Sequence, residues 1–378
     1  MEFGRVLWLT DWKVQVFPRA YDMEIFPGSA IKAKYGFVGI GASVISSPAP
    51  TALNLITDGM NDQGLSVATH SQYRAQYETT AAEKTGKVLW LFVASWLLGS
   101  FQNVEEVRDA VLSGHFQITN GPEIDFWQKL VRIGGTHWAI ADKHGGSIVL
   151  EYERGQPRVY TNSVRVLTND PFFPWHVEHL NSYSWLGWDS RQNERAKAIQ
   201  AETQDLLSDQ DRVPFNSGHG FNLGGPPGDH SPPARFVRTF FMKQISQKNS
   251  EKAENVWQAV ALAQAVLNHV FIPQGSTGPD PDVLLFVCKL FPSYCKTRRH
   301  VINSDYSLWD TLRIPQQKWM AFRTYPNGQW SFINMTELDW SPRSWPIPHL
   351  RTSGFEDLNM KDITPLLNEY STQTPQQI

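Results

Sequence analysis

Residues 53–70 read LNLITDGMNDQGLSVATH, which is two apolar segments separated by a short polar one. The flanking segments LNLIT (53–57) and LSVATH (65–70) contain the aliphatic and β-branched residues that are typical of strands. Between them, DGMNDQG (58–64) is dense in residues that form tight turns. This stretch therefore predicts two neighbouring β-strands joined by a turn, and it favours a meander of strands as the starting point of the fold.

Strands and helices are predicted outward from this stretch by the period of the apolar residues. The alternating segments that predict strands are 13–19, 34–41, 137–142, 147–153, 157–161, 164–168, 308–314, 318–325 and 329–334. The segments that predict helices are 88–98, 103–112, 232–247 and 251–269, with Asn103 as an N-cap and Gly114 as a stop. Blocks of strands followed by blocks of helices, twice over, indicate an α+β fold in which two antiparallel sheets pack together with helices outside.

Composition limits the class of protein. The 378 residues are 41% hydrophobic, which is enough to bury a large core, and we expect one large domain over residues 1–340. We expect residues 341–378, rich in Pro, Ser and Thr, to form an extension that wraps the surface or is partly disordered. The formal net charge is -3 and the basic residues are scattered, so a nucleic-acid partner is not expected.

Targeting signals are weak. The most apolar stretch, 88–98, is much shorter than the roughly 20 residues that cross a bilayer, so no transmembrane segment is predicted. The first residues, MEFGRVLWLTDW, do not form a signal peptide. The compartment stays open, with secretion as the outcome if an upstream signal peptide is missing from this sequence.

The sequence gives little support for a metal site or for a disulfide. Cys288 and Cys295 are close enough for a local disulfide, but two unpaired thiols are an equal alternative. The histidines at positions 70, 176, 219 and 230 are not spaced as a metal cluster. We therefore expect no metal and no cofactor.

Four ordered segments carry a resemblance to a known family. They are Phe3-Gly4-Arg5 with VFPR at 16–19, DGMNDQGL at 58–65, LTNDP at 167–171, and PGDHSPPARF at 227–236. A weaker match follows at IPQG (272–275) and SLW (307–309). In this order and spacing, the chain resembles the choloylglycine hydrolase family, the group that includes bile salt hydrolases and penicillin V acylases.

The resemblance implies a four-layer αββα fold of the N-terminal nucleophile hydrolase type and hydrolysis of a linear amide bond. In such enzymes a cysteine is the mature N-terminal residue. Its own α-amine, with a reference pKa of about 8, can act as the general base for the thiol. The tetrahedral intermediate then requires hydrogen-bond donors that point at the developing oxyanion.

The resemblance also implies the site residues. Arg5 matches the arginine that lies against the nucleophile, Asn169 an oxyanion donor, and Arg235 an electrostatic residue of the active site. Each also has a structural interpretation, respectively a solvated arginine near the chain end, an Asx-turn before Pro171, and a surface cation on a helix. Ser71 occupies the position of an asparagine or tyrosine that assists the oxyanion site, which makes this assignment weaker.

The chain departs from the family at two positions. The family's cysteine lies upstream of the Gly-Arg segment, but only Met1, Glu2 and Phe3 precede Gly4 here. Trp8 stands where the family has an aspartate, and Asp11 takes that role only if the local alignment slips. Two hypotheses follow: an amidase whose start was assigned too late, so that this exact chain hydrolyses little, or a pseudoenzyme that binds an amphipathic acyl amide. The partner is a small-molecule amide with an undetermined acyl group, and a homo-oligomer is possible.

Overall fold

A computed structural model describes residues 12–45, 52–78, 86–120, 135–183, 225–249, 255–278, 306–325, 327–342, 349–351, 363–365 and 367–368. The strands in these residues are β1 (Trp12–Phe17), β2 (Asp22–Phe26), β3 (Ser29–Lys32), β4 (Phe37–Ile45), β5 (Ala52–Asn61), β6 (Ser66–Gln72), β7 (Gly86–Leu89), β8 (Phe116–Thr119), β9 (Gly135–Ala141), β10 (Ser147–Glu153), β11 (Gln156–Thr161), β12 (Trp309–Ile314), β13 (Trp319–Thr324), β14 (Ser331–Asn334) and β15 (His349–Arg351). The α-helices are α1 (Val93–Ser100), α2 (Val104–Leu112), α3 (Phe173–His179), α4 (Pro232–Asn249) and α5 (Val256–Asn268).

One large sheet organises the first part of the chain. Its strand order is β11-β10-β9-β6-β5-β4-β1-β15, and each of these neighbouring pairs is antiparallel. A second antiparallel sheet has the order β12-β13-β14. Strands β2 and β3 form a small hairpin, and β7 pairs with β8 in parallel. These sheets together with the helices confirm the α+β class.

The two faces of the large sheet bury different side chains. Phe37 packs in a cluster with residues of α1 and α2, such as Trp96 and Val107. The next residue, Val38, packs in a second cluster with Met320 and other residues of β13 and β14. Because successive side chains of a strand point to opposite faces, helices cover one face of the sheet and the three-stranded sheet covers the other.

The turn predicted over 58–64 is shorter than expected. Strand β5 continues to Asn61, so the turn proper begins at Asp62. Asn61 is fully buried; its Nδ2 donates to the carbonyls of Leu98 and Phe101, and its Oδ1 accepts from the backbone of Gln63 and Leu65. An asparagine that satisfies both its donor and its acceptor in this way is a structural residue, and it holds the β5–β6 turn against the end of α1.

Two predicted elements are wrong. The segment 88–98, predicted as one helix, is divided into the end of β7, a 3₁₀ turn (Trp90–Phe92) and α1. Its first residues pair in parallel with β8, and this long-range pairing overrides the apolar pattern. The segment 164–168, predicted as a strand, has no strand structure, although the neighbouring strands β10 and β11 form as expected.

Asn103 is the N-cap of α2, as predicted. Its side-chain oxygen accepts from the backbone N–H of Glu106 at 2.9 Å, and Gly114, two residues after the helix ends, has a φ of 73°. The predicted helices at 232–247 and 251–269 correspond to α4 and α5. The other predicted strands correspond to β1, β4, β5, β6, β9, β10, β11, β12, β13 and β14 within a few residues.

We expect Asn103→Ala to lower the free energy of unfolding by about 1 kcal/mol, because the Glu106 N–H loses its partner. Urea denaturation monitored by circular dichroism measures this change. Asn103→Ser is the control, since a serine hydroxyl also caps a helix and should retain most of the stability. Equal losses in both variants would contradict a capping role for the side chain.

The chain divides into two compact units, residues 1–170 with 271–378, and residues 171–270. Within the first unit, β15 comes from the segment 341–378 and pairs with β1. The domain boundary at residue 340 stays a prediction. Among the described helices, none has both the length and the apolar character that crossing a membrane requires.

Candidate functional site

The first two of the four sequence segments meet at an ion pair. Arg19, which ends the VFPR segment, places its Nε and Nη2 each 2.7 Å from Oδ2 of Asp62 in the β5–β6 turn. The same carboxylate accepts from the backbone N–H of Gly36 at 3.3 Å, and the Asp62 side chain is 3% exposed. The arginine therefore joins β1 to the turn that precedes β6.

The third segment contacts the far end of β6, the strand that follows the second segment. Asn169 donates from Nδ2 to the backbone oxygen of Ser71 at 3.0 Å. Both residues are buried. The structure thus brings together two residues selected from the sequence, and the contact at Ser71 is made by its backbone.

Asp170 extends this contact. Its carboxylate accepts from the backbone N–H groups of Tyr73 at 2.8 Å and Arg74 at 3.3 Å, just beyond the end of β6. Burial raises the pKa of Asp170 above its ordinary value, although these two N–H groups and the nearby His137 act in the opposite direction. The LTNDP segment is therefore attached to the end of β6 through two consecutive side chains.

Two buried polar clusters were missed by the sequence analysis. Asp58, fully buried in β5, forms an ion pair with Arg313 of β12. Thr311 donates to Oδ2 of Asp58 at 2.8 Å and accepts from Nη2 of Arg313 at 3.0 Å. This cluster joins the large sheet to the three-stranded sheet.

The second cluster lies beside Asn169. His137 of β9 is within 2.8 Å of Oε1 of Glu151 through Nδ1 and within 2.8 Å of the Thr168 carbonyl through Nε2. His137 is fully buried and Glu151 is 1% exposed. A histidine and a glutamate at inward-facing positions of otherwise apolar strands were the signals in the sequence that could have identified this pair.

A cavity of about 450 Å³ lies within the first unit. Its floor is one face of β6, β9 and β10, where small residues such as Ala68, Ala139 and Ser147 leave space. Thr311 and Arg313 of β12 also line it, and it reaches His70, the neighbour of Ser71 in β6. Space of the size that small molecules occupy therefore adjoins the strand that carries Ser71.

Arg235 lies in the second unit, in the first turn of α4, and is 9% exposed. Its Nε donates to the carbonyl of His230 at 2.9 Å. One turn further on, Arg238 donates to the carbonyls of Pro227 and Asp229. The PGDHSPPARF segment is thus a loop folded onto the start of its own helix.

Several predicted residues lie outside the described part of the chain. These are Arg5, Trp8, Asp11, His219, Cys288 and Cys295. Their roles, and the choice between a disulfide and free thiols, stay predictions. Within the described residues, no group of three or more His, Cys, Asp or Glu side chains is arranged to bind a metal ion.

Comparison with known proteins identifies the family. Residues 1–284 match the model of the linear amide C–N hydrolases, choloylglycine hydrolase family. A bile salt hydrolase/transferase of Clostridium perfringens is 30% identical over 309 residues, which cover 81% of this chain and 79% of that protein. A second, from Lactiplantibacillus plantarum, is 30% identical over 247 residues, 65% of this chain and 68% of that protein.

Solved structures share the fold. A variant of conjugated bile acid hydrolase from Clostridium perfringens superposes with a TM-score of 0.68 at 24% identity, covering 90% of this chain and 89% of that one. Penicillin V acylase from Agrobacterium tumefaciens gives 0.61 at 21% identity, covering 95% and 89%. Since the family match spans all four sequence segments, the chain belongs to the choloylglycine hydrolase family of linear amide C–N hydrolases.

Proposed function

We propose that this protein hydrolyses the amide bond of a small molecule, in the manner of the bile salt hydrolases to which it is similar, and that Asn169 stabilises the oxyanion. The hydrogen bond from Asn169 Nδ2 to Ser71 O carries the proposal, because it places a neutral, directional amide donor at the end of β6. A donor fixed there before the reaction stabilises negative charge on the tetrahedral intermediate.

The nucleophile in this proposal is a cysteine that precedes Gly4 in the functional protein. The cysteines among these 378 residues are Cys288 and Cys295, which do not match the family position. Arg5 would stabilise the thiolate by its charge, and the terminal amine would accept the thiol proton. Asp11, Ser71 and Arg235 stay predictions from the sequence resemblance. We also propose the four-layer αββα arrangement as the complete fold.

The substrate in this proposal is a small molecule. The cavity next to β6 falls within the roughly 300–1,000 Å³ range of small-molecule sites. The names of the bile salt hydrolases and of the penicillin V acylase to which the chain is similar also refer to small molecules. A conjugated bile acid is therefore the first substrate to test, with penicillin V and a long-chain acyl amide beside it.

The experiment compares two forms of the protein. One is the chain as written; the other begins at an in-frame upstream cysteine that leads into Phe3-Gly4-Arg5. We expect the longer form to release the amine from at least one of the three amides and to lose this activity on thiol alkylation. We expect little or no release by the chain as written.

A second candidate function is a binding protein for an amphipathic acyl amide, favoured by Trp8 at the family's aspartate position. If neither form hydrolyses any of the three amides while calorimetry shows saturable binding of one, this function replaces the first. Thiol-dependent turnover by the chain as written would show that the nucleophile is already within these residues.

A further inference from the structure

A row of polar side chains crosses three adjacent strands of the large sheet. His70 of β6 and His137 of β9 are direct partners in the register, and their ring centroids are 5.9 Å apart. Glu151 of β10 completes the row through its 2.8 Å contact with His137 Nδ1. The other ring nitrogen, Nε2, contacts the Thr168 carbonyl, so His137 links the sheet to the segment that carries Asn169.

The partners of His137 determine where protons lie. A backbone carbonyl only accepts hydrogen bonds, so the 2.8 Å contact with Thr168 requires a hydrogen on Nε2. The 2.8 Å contact between Nδ1 and Glu151 requires a further shared proton, because an unprotonated ring nitrogen and a carboxylate would both be acceptors. The pair therefore holds one proton between its two members and another on Nε2, which fixes the orientation of the ring.

This fixed ring acts on Asn169 through a single peptide plane. The carbonyl of Thr168 and the backbone nitrogen of Asn169 belong to the same planar unit, so a hydrogen bond to the carbonyl restricts rotation of that unit. Thr168 and Asn169 are each 4% exposed. On the other side of Asn169, Asp170 is held by the backbone of Tyr73 and Arg74. Asn169 is thus flanked on both sides by anchored residues.

We propose that His137, held by Glu151, is a positioning residue for amide hydrolysis: it fixes the Thr168 carbonyl and so orients the Asn169 side chain. This proposal rests on the proposed function of Asn169. His137 does not touch the reacting atoms. It determines the orientation of the Asn169 side-chain amide. Misplacement of a donor by about 1 Å can lower a rate about 10²-fold.

Other charged or titratable groups face this pair. His70 lies against the His137 ring, Asp170 interacts electrostatically with His137, and Tyr160 of β11 interacts with Glu151. Glu151→Gln removes only the carboxylate of the pair, because the glutamine amide can still donate to Nδ1.

The test uses the longer form of the protein, which begins at the upstream cysteine and is expected to hydrolyse amides; this is called the turnover-competent form. We expect His137→Leu to lower kcat about 10²-fold with KM changed less than about threefold, since the transition state is affected more than substrate binding. His137→Gln places an amide donor near the Thr168 carbonyl and should recover at least about a tenth of the activity. Glu151→Gln should retain most of the activity, since the glutamine amide can still donate to Nδ1 of His137.

Trp138→Leu is the matched control for loss of stability. Trp138 is the next residue of β9, is fully buried, and belongs to the apolar cluster on the opposite face. At a temperature where both variants are folded, it should lower kcat far less than His137→Leu. Equal kcat losses in the two variants, or an unchanged kcat in His137→Leu, would overturn the positioning role.

A crystal structure of His137→Leu provides a readout that does not depend on activity. We expect the Asn169 Nδ2 to Ser71 O hydrogen bond to be lost or redirected. If this bond is unchanged, His137 does not position Asn169. If the bond is lost but even the wild-type protein hydrolyses no amide, the positioning stands and the proposed function fails.

Discussion

Arg313→Met is expected to lower the free energy of unfolding by about 3–5 kcal/mol, because it leaves the Asp58 carboxylate buried without its cation. The Asp58 side chain is 0% exposed and that of Arg313 is 15% exposed, so water cannot readily replace the lost partner. Thr311 still donates one hydrogen bond to the carboxylate, which offsets only part of the cost. Urea denaturation of the variant and the unmodified protein measures the difference.

The control for this prediction is the pair Lys32–Asp22. Its atoms are 2.9 Å apart, but both side chains are more than two-thirds exposed. We expect Lys32→Met to cost less than about 1 kcal/mol, since exposed ion pairs contribute little. A double variant, Arg313→Met with Asp58→Leu, should recover much of the stability because no charge stays buried. Similar losses in Arg313→Met and Lys32→Met would contradict the importance of the buried pair.

Asn169→Ala is expected to lower kcat for amide hydrolysis about 10²- to 10³-fold, the usual effect of removing one oxyanion donor. KM should change little, because the donor acts mainly on charge that develops in the transition state. Steady-state kinetics on the turnover-competent form, with a conjugated bile acid as substrate, measures both quantities.

Asn327→Ala controls for the loss of a buried asparagine. Asn327 is 7% exposed, and its Oδ1 accepts from the backbone N–H of Gln329 at 3.0 Å. We expect this variant to lose stability and to keep kcat within about threefold of the unmodified protein. If both alanine variants lower kcat equally, Asn169 acts through the fold and the oxyanion proposal is wrong.

Local pattern was sufficient for most of the elements. Alternation identified β1, β4 and β6, and the capping signal at Asn103 located the start of α2 to the residue. The pattern failed where a distant partner decides the conformation. Residues 86–89 form a strand because β8 lies beside them, and Asp58 belongs to β5, where its side chain meets Arg313 from a distant part of the chain.

The candidate site could be predicted only in part for the same reason. Asn169 and Ser71 were selected from resemblance, and the structure joins them across 98 positions of sequence. His137 and Glu151 were overlooked because each, taken alone, is one polar residue in an apolar strand. The two side chains are adjacent only because of the register of β9 with β10, and no local pattern specifies that register.

The pairing of β15 with β1 has a consequence for solubility. A strand at the border of a sheet presents its backbone N–H and C=O groups to any extended peptide, including another copy of the same chain. Residues 349–351 occupy those groups of Lys13, Val14 and Gln15. The border strand on this side is therefore the three-residue β15, and a short border strand is a poorer template for strand addition. A chain shortened before His349 would offer the longer β1 as a template for aggregation.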